Sequence, residues 1–339
     1  MKLSIIIPVY NTEEYIRQCI DSVMNIKNIE TEIIAVNDGS TDRTKDILEE
    51  YTENDDRIKV ITQENQGASA ARNTGIKAST GDYIYFLDSD DWIDTVSFEK
   101  IIRQLEDDYK SGEKTDIVVG KEKAYSEFTK EEVLDERIPR ELIGKIVSGK
   151  EYMIKSIKEK FWNVRLPIYL YSRKLLIDND IYFPKGRRSN EDEVFSIDVF
   201  YHAKKLKITD EIFGYYRARS GSIMSVLNIT HVEDIFENVK ELLEKYKNEK
   251  DSETKKIIFY MIKRYYKSSM KKAVQCGRND VFKKIYQQFR KDCKNYFFKI
   301  KSKKFENVEL YILYYTGGVY YTGGNFLKKC RNKFKAKRG

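Results

Sequence analysis

Asp88, Asp90 and Asp91 stand within four residues of one another, directly behind the apolar run Ile84-Tyr85-Phe86-Leu87. Carboxylates this close repel one another unless something offsets their charge, and a hard divalent cation that also binds phosphate oxygens does so. Their spacing therefore points to a metal-assisted nucleotide site. Asp and Ser are also ordinary turn residues, so an acidic strand-to-loop turn is the competing account.

The elements that must position these carboxylates can be read upstream. Leu3 to Val9 is a short apolar run that predicts a strand, and Asn11 with Glu14 three residues on predicts a capped helix carrying Tyr15, Cys19, Ile20 and Val23 at helical spacing. Ile33 to Val36 reads as a second strand, with a helix following through about Tyr51. Ile58 to Ile61 reads as a third strand, Ala68 to Ala78 as a helix and Tyr83 to Leu87 as a fourth strand. This alternation predicts an α/β fold with a mainly parallel sheet covered on both faces and ligands gathered beyond the carboxyl ends of the strands.

Each of those ends is polar: Tyr10-Asn11, Asp38-Gly39, Asn65-Gln66-Gly67 and Asp88-Ser89-Asp90. In one crevice, Asp38 can accept hydrogen bonds from a base or ribose, Arg72 can reach a base or phosphate, Asp88 can hold ribose hydroxyls and Asp90 can face a metal. Structural alternatives are a helix cap or Asx turn for Asp38 and a surface ion pair for Arg72. No Gly-x-Gly-x-x-Gly follows the first strand, which argues against a dinucleotide enzyme, and no Lys-containing Gly-rich triphosphate loop stands there, which argues against a nucleotidyltransferase.

The chain of 339 residues suggests about two domains, and its 41% hydrophobic content excludes a disordered polypeptide. Cys19, Cys276, Cys293 and Cys330 lie far apart without metal-type spacing, as free thiols in a reducing compartment would. The N-terminal apolar run is too short for a signal peptide and no long aliphatic run predicts a membrane span, so a cytoplasmic location is expected.

Four strings, Ile-Ile-Pro-Val-Tyr-Asn at 6–11, Val-Asn-Asp-Gly-Ser-Thr-Asp at 36–42, Asn-Gln-Gly-Ala-Ser-Ala-Ala-Arg-Asn at 65–73 and Leu-Asp-Ser-Asp-Asp at 87–91, closely resemble the family 2 glycosyltransferases. The resemblance implies a GT-A fold with a mixed, mainly parallel sheet, a nucleotide-sugar donor (most often a UDP-sugar), Mn²⁺ or Mg²⁺, and inversion at the anomeric carbon. It implies that Pro8, Val9, Tyr10, Asn11, Asp38, Asn65, Gly67 and Arg72 line the nucleotide pocket. Asp88 would then bind the ribose, Ser89 would belong to the same nucleotide-sugar site, and Asp90, with Asp88, would hold the metal. Asp91 belongs to the turn or to the acceptor side.

The same resemblance extends to Asn190-Glu191-Asp192-Glu193-Val194-Phe195, where it makes Asp192 the catalytic base, although such an acidic triplet also suits the first turn of a helix. It extends to Tyr215–Ile223 as well, which implies that Arg217 and Arg219 close over the donor diphosphate; solvated arginines on an edge strand are the alternative. The chain departs from the family at Tyr169, where many relatives carry lysine. It also lacks the Gln-x-x-Arg-Trp motif of processive synthases, so one sugar per encounter is expected.

The organisation that follows is a catalytic domain over 1–225, with a nucleotide-sugar-binding half (1–94) and an acceptor half (95–225), then a helical C-terminal region over 226–339. There Val232, Ile235, Phe236, Val239, Leu242, Leu243 and Tyr246 form one helical stripe, two more helices follow to about Phe298, and His231 reads as a helix-start histidine rather than a metal ligand.

Tyr314 to Gly318 is echoed by Tyr320 to Gly324, ahead of a tail with seven Lys and Arg between Lys328 and Gly339. Aromatic residues beside a basic cluster predict an anionic membrane contact through 308–339 on the inner membrane face. A nucleic-acid partner is not expected. The predicted acceptor is a glycan, a lipid-linked oligosaccharide or a glycoprotein, in the manner of polysaccharide biosynthesis. The contrasting class is an idle nucleotide-sugar-binding or membrane-binding module on the same fold.

Overall fold

The computed structural model describes residues 1–27, 29–187, 190–219 and 229–297. The chain forms two compact units, Met1–Ser225 and Val226–Gly339.

The first unit opens with the alternation that the sequence predicts: β1 (Lys2–Val9), α1 (Ile16–Met24), β2 (Glu30–Asn37), α2 (Thr44–Thr52), β3 (Ile58–Thr62), α3 (Ala68–Ala78) and β4 (Tyr83–Phe86). β1 is buried from Leu3 to Val9, as a central strand covered on both faces must be. It pairs in parallel with β2 and with β4, and β2 pairs in parallel with β3. Pro8 is tolerated there because β4 has stopped pairing at Ile6, so the N–H that proline lacks has no partner to lose on that side.

The second half of this unit contributes β5 (Trp92–Ile93), α4 (Thr95–Lys110), β6 (Ile117–Ser126), β7 (Glu132–Leu134), β8 (Ile146–Val147), α5 (Gly149–Glu159), β9 (Tyr169–Ser172), α6 (Arg173–Asp178), α7 (Glu191–His202) and β10 (Leu206–Ala218). All strands of the described residues join one mixed sheet with the main order β3-β2-β1-β4-β9-β6-β10-β5; β7 pairs with β6 and β8 with β10. β9 runs antiparallel to both β4 and β6, so it splices the parallel first half to the second half. β10 pairs in parallel with β6 and antiparallel with β5. At that crossing a Cβ on Gly214 would come within 2.5 Å of the Trp92 carbonyl oxygen, which only glycine avoids.

Aromatic side chains fill the second face. Phe183 and Phe195 stack at 3.9 Å between ring centroids, and Phe86 meets both edge-on. Tyr169 is fully buried and donates its hydroxyl to the Asn163 carbonyl at 2.6 Å, so it serves packing.

Asn11 does not cap a helix. It adopts left-handed backbone (φ 48°), and its side-chain oxygen accepts the Thr41 N–H at 2.8 Å, bracing the loop after β2, while α1 starts later, after Tyr15.

The second unit packs α8 (Ile229–Asn248), α9 (Ser252–Gln275) and α10 (Asn279–Asp292) against one another, followed by a π-helical turn over 293–297. Every member of the predicted stripe on α8 is buried, as is His231. No helix among the described residues is long and apolar enough to cross a membrane. The Tyr-Tyr-Thr-Gly-Gly repeats and the basic segment 308–339 lie outside the described residues, as does Cys330; Cys19, Cys276 and Cys293 are free thiols.

Candidate active site

The polar strand ends bring most of the predicted residues into three connected groups. The first forms around Arg72, in the first half of α3. Its guanidinium is buried and bridges three carboxylates: Nη2 donates to Asp88 Oδ1 at 2.8 Å, and Nη1 donates to Glu191 Oε1 at 3.0 Å and Asp192 Oδ1 at 3.2 Å. Burial alone disfavours the charged guanidinium, but Asp192, Asp88 and Glu191 together hold it firmly protonated. The planar fork suits this, because one lysine ammonium cannot span the same set. Arg72 is therefore no surface ion pair. It ties the end of β4 to the start of α7.

The neighbouring residue reinforces the tie. Asn73 donates Nδ2–H to the Phe183 carbonyl at 2.9 Å and accepts the Phe183 N–H on Oδ1 at 2.8 Å, both in a buried setting. Phe183 thereby sits with its ring 5.3 Å from the Arg72 guanidinium carbon, and the backbone at Arg187 passes over Gly67 at the start of α3. Sequence reasoning assigned no role to Asn73 or Glu191, although both lie inside the quoted strings beside residues that it did assign.

α7 begins with Glu191, Asp192 and Glu193 in its first turn, so the acidic triplet is a helix start and also the partner of Arg72. Burial pushes the Asp192 carboxyl well up from its ordinary range, Glu191 and Asp88 push it further, and Arg72 restrains the rise. About a third of the side chain stays open (31%), so water softens this push and a proton can enter and leave. That combination suits a carboxylate that can take up a proton and release it again.

The second group follows β4. Asp91 is buried, donates its N–H to the Asp88 carbonyl at 3.0 Å and accepts the Arg217 N–H on Oδ1 at 2.8 Å. Asp91 thus closes the turn and pins the end of β10. Its carboxyl is raised by burial and by Asp88 and Asp90, with the Arg217 N–H opposing.

Arg217 is buried and bound to the Asp90 carbonyl at 2.8 Å, to Glu127 at 3.1 Å and to Gln18, with its guanidinium over Trp92 and Tyr15. Neither this burial nor the position of β10 between β6 and β5 fits a solvated edge strand. Arg219 donates Nε–H to Asp90 Oδ2 at 2.9 Å. Burial and then Asp88 raise the Asp90 carboxyl, and Arg219 offsets part of that. Ser89, between the two carboxylates, is buried.

The third group surrounds Asp38, which is buried at the end of β2. Its Oδ1 accepts from Gln63 Nε2 at 2.7 Å and from the Gln66 N–H at 3.0 Å, and Oδ2 accepts the Gly67 N–H at 2.7 Å. Asp38 therefore shapes the loop that carries Asn65 and leads into α3. Gly67 takes φ 89° there, in the left-handed region. Pro8 and Val9 are buried beneath, the Val9 carbonyl accepts the Asp38 N–H at 2.8 Å, and Tyr10 and Asn65 are exposed above. Among the described residues no cluster of three or more His, Cys, Asp or Glu side chains is arranged to hold a metal.

The chain is similar in sequence to several glycosyltransferases. The uncharacterized glycosyltransferase EpsJ of Bacillus subtilis strain 168 is 36% identical over 232 residues, 66% of this chain and 63% of EpsJ. A poly(ribitol-phosphate) beta-glucosyltransferase of Bacillus spizizenii is 33% identical over 231 residues, 67% of this chain and 34% of that protein. The chain thus spans less than two thirds of the length of these relatives. Among solved structures, residues 1–349 of S. aureus TarS in complex with UDP-GlcNAc share the fold, with a TM-score of 0.65 and 24% identity over 86% of this chain and 81% of that one. The sequence profile described as Glycosyl transferase family 2 matches residues 4–176, half of the chain, and the chain belongs to that family.

Proposed function

We propose that the protein transfers a single sugar from a nucleotide-sugar donor, a UDP-sugar, to a hydroxyl group of a glycan, lipid-linked oligosaccharide or glycoprotein, with inversion. The observation that carries this reading is Arg72, which joins the carboxylate after β4 to the carboxylate that opens α7. A donor-side group and a proton acceptor are thereby held in one charge network.

In that reaction the acceptor oxygen forms a bond to the anomeric carbon as the bond from that carbon to the diphosphate breaks. The acceptor proton passes to Asp192, and the nucleoside diphosphate leaves with the bonding electrons. A base placed in this way contributes ~10²–10⁴ in rate. Asp88 holds the ribose, and Pro8, Val9, Tyr10, Asn11, Asp38, Asn65 and Gly67 frame the nucleoside. Arg219 is the arginine best placed for the diphosphate, because Arg217 is committed to structural partners.

The donor set fits a divalent cation: Asp88 and Asp90 are hard oxygen ligands on one turn, and a cation would offset the burial, and after it the repulsion from Asp88, that raise the Asp90 carboxyl. Mn²⁺ or Mg²⁺ held by Asp90, with Asp88, would stabilise the charge that develops on the leaving diphosphate. Asp91 is not part of that set, since the Arg217 N–H occupies it.

The test is incubation of the full chain with a panel of UDP-, GDP- and dTDP-sugars, with Mn²⁺, Mg²⁺ or chelator, reading slow donor hydrolysis. Metal-dependent turnover of one UDP-sugar, lost in Asp90→Asn, is the expected result; the absence of binding to any nucleotide sugar overturns the proposal. Residues 308–339 carry the enzyme to an anionic inner membrane face, and liposome binding that persists after their deletion would refute that part.

A further inference from the structure

A cleft of about 490 Å³ opens on the β6–β7 face of the first unit, lined among others by Glu122, Ala124, Val133, Asp135, Glu136, Arg137 and Arg165. None of these residues has a role in the donor chemistry. The volume falls in the range of sites for small molecules.

Three observations mark it as a built site. Glu122 is 3% exposed, and its Oε1 lies 3.0 Å from Arg165 Nη1 as an ion pair without an aligned hydrogen bond, so a buried acceptor atom is left unsatisfied at the cleft wall. The Arg165 guanidinium is fixed by lying 3.5 Å over the Tyr216 ring. Next to Glu122, Asp135 and Arg137 are locked to each other by paired contacts of 2.8 and 3.0 Å from Arg137 Nε, and the Asp135 N–H is held by the Glu122 carbonyl at 3.0 Å.

The cleft also adjoins the site already described. Ala124 pairs in register with Tyr216, one residue before Arg217, whose N–H binds Asp91. Burial raises the Glu122 carboxyl to about 7 against the pull of Arg165, and Asp88 adds to the rise; Arg165 in turn pulls Asp192 down. These groups therefore lie within electrostatic reach of one another.

The lining chemistry selects the ligand class. Carboxylates outnumber guanidinium groups three to two, so a phosphate is not favoured. Preset carboxylate and guanidinium pairs offer acceptors and donors to vicinal hydroxyl groups, while Val133 at the rim offers an apolar contact to carbon–hydrogen faces. We infer that this cleft is the acceptor subsite, that it takes a neutral sugar or alditol unit, and that Glu122 and Arg165 set its specificity. This rests on the glycosyl-transfer reading above.

The test is saturation-transfer NMR on the full chain with UDP present, using methyl β-glucoside, ribitol and ribitol 5-phosphate as probes. The native chain should give signals from the two neutral probes that exceed those from the phosphate. Ala124→Trp, which fills the cleft, should reduce them at least fivefold. Val133→Arg, at a position 64% exposed and so tolerant of substitution, should do the same should the first variant fail to fold. No signal from the neutral probes, equal signals in a folded cleft variant, or a stronger signal from ribitol 5-phosphate would each overturn the inference. Calorimetric binding of nucleotide sugars on the same samples separates the two readings: its failure in the native chain sinks glycosyl transfer and leaves the sugar signals to stand by themselves.

Discussion

Replacing Arg72 with methionine keeps the length of the side chain and removes the fork that spans Asp88, Glu191 and Asp192. Removing one partner of a buried ion pair typically costs about 3–5 kcal/mol, because the remaining charge stays desolvated. Here Glu191 is left nearly buried, at 11% side-chain exposure, whereas Asp88 and Asp192 keep 39% and 31% and can be hydrated. The loss should therefore lie near the lower end, about 3 kcal/mol including the contact with Phe183. Both tryptophans, Trp92 and Trp162, belong to the first unit, so urea unfolding followed by tryptophan fluorescence reads that unit.

Activity supplies an independent reading. Arg72 is a cause that lowers the Asp192 carboxyl, so without it that carboxyl rises further, and the acid limb of kcat/KM moves to higher pH. Below the limb each pH unit of displacement costs about tenfold in rate. Arg72→Lys keeps the charge without the fork and should fall between. A loss under about 1 kcal/mol together with an unmoved acid limb would refute the claim that Arg72 couples the two carboxylates.

Three further outcomes are expected. Glu122 has its folded-state pKa raised from 4.5 to about 7, so the stability it contributes is full below about pH 4.5 and is lost as pH climbs through about 7. At 1.36 kcal/mol per pH unit that is about 3 kcal/mol, and Glu122→Gln should flatten the fall between pH 5 and 8 in urea titrations; an unchanged slope would contradict it. Gly75→Ala places a Cβ 2.3 Å from Ile6 Cγ2, where α3 lies on β1, and should cost about 1–3 kcal/mol by the same fluorescence assay. Asp90→Asn should weaken Mn²⁺ binding in the presence of UDP by about tenfold or more, read by electron paramagnetic resonance, and equal affinity would remove Asp90 from the metal.

The first half of the sheet was legible because its signals are local. Apolar runs and polar strand ends locate β1 to β4, and α3 spans the predicted Ala68 to Ala78, since periodicity and turn chemistry both act over a few residues. The partners of Arg72 were not legible, because Glu191 lies 119 residues away and no periodicity reports a contact across β9. Asn11 misled for a related reason: its side chain can cap a helix or brace a loop, and the loop at Thr41 won. Asp91 could be placed only once β10 was seen to end beside it.

The interleaved strand order has a consequence for how such enzymes diversify. β4 is flanked by β1 on one side and by β9, from the second half, on the other, so a chain cut near residue 94 would expose an unpaired strand edge and a buried arginine stripped of two of its three counter-charges. The halves are thus not exchangeable cassettes. A lineage that acquires a new second half by recombination must import a matching Glu-Asp pair with it, so the Arg72 seam restricts which crossovers survive.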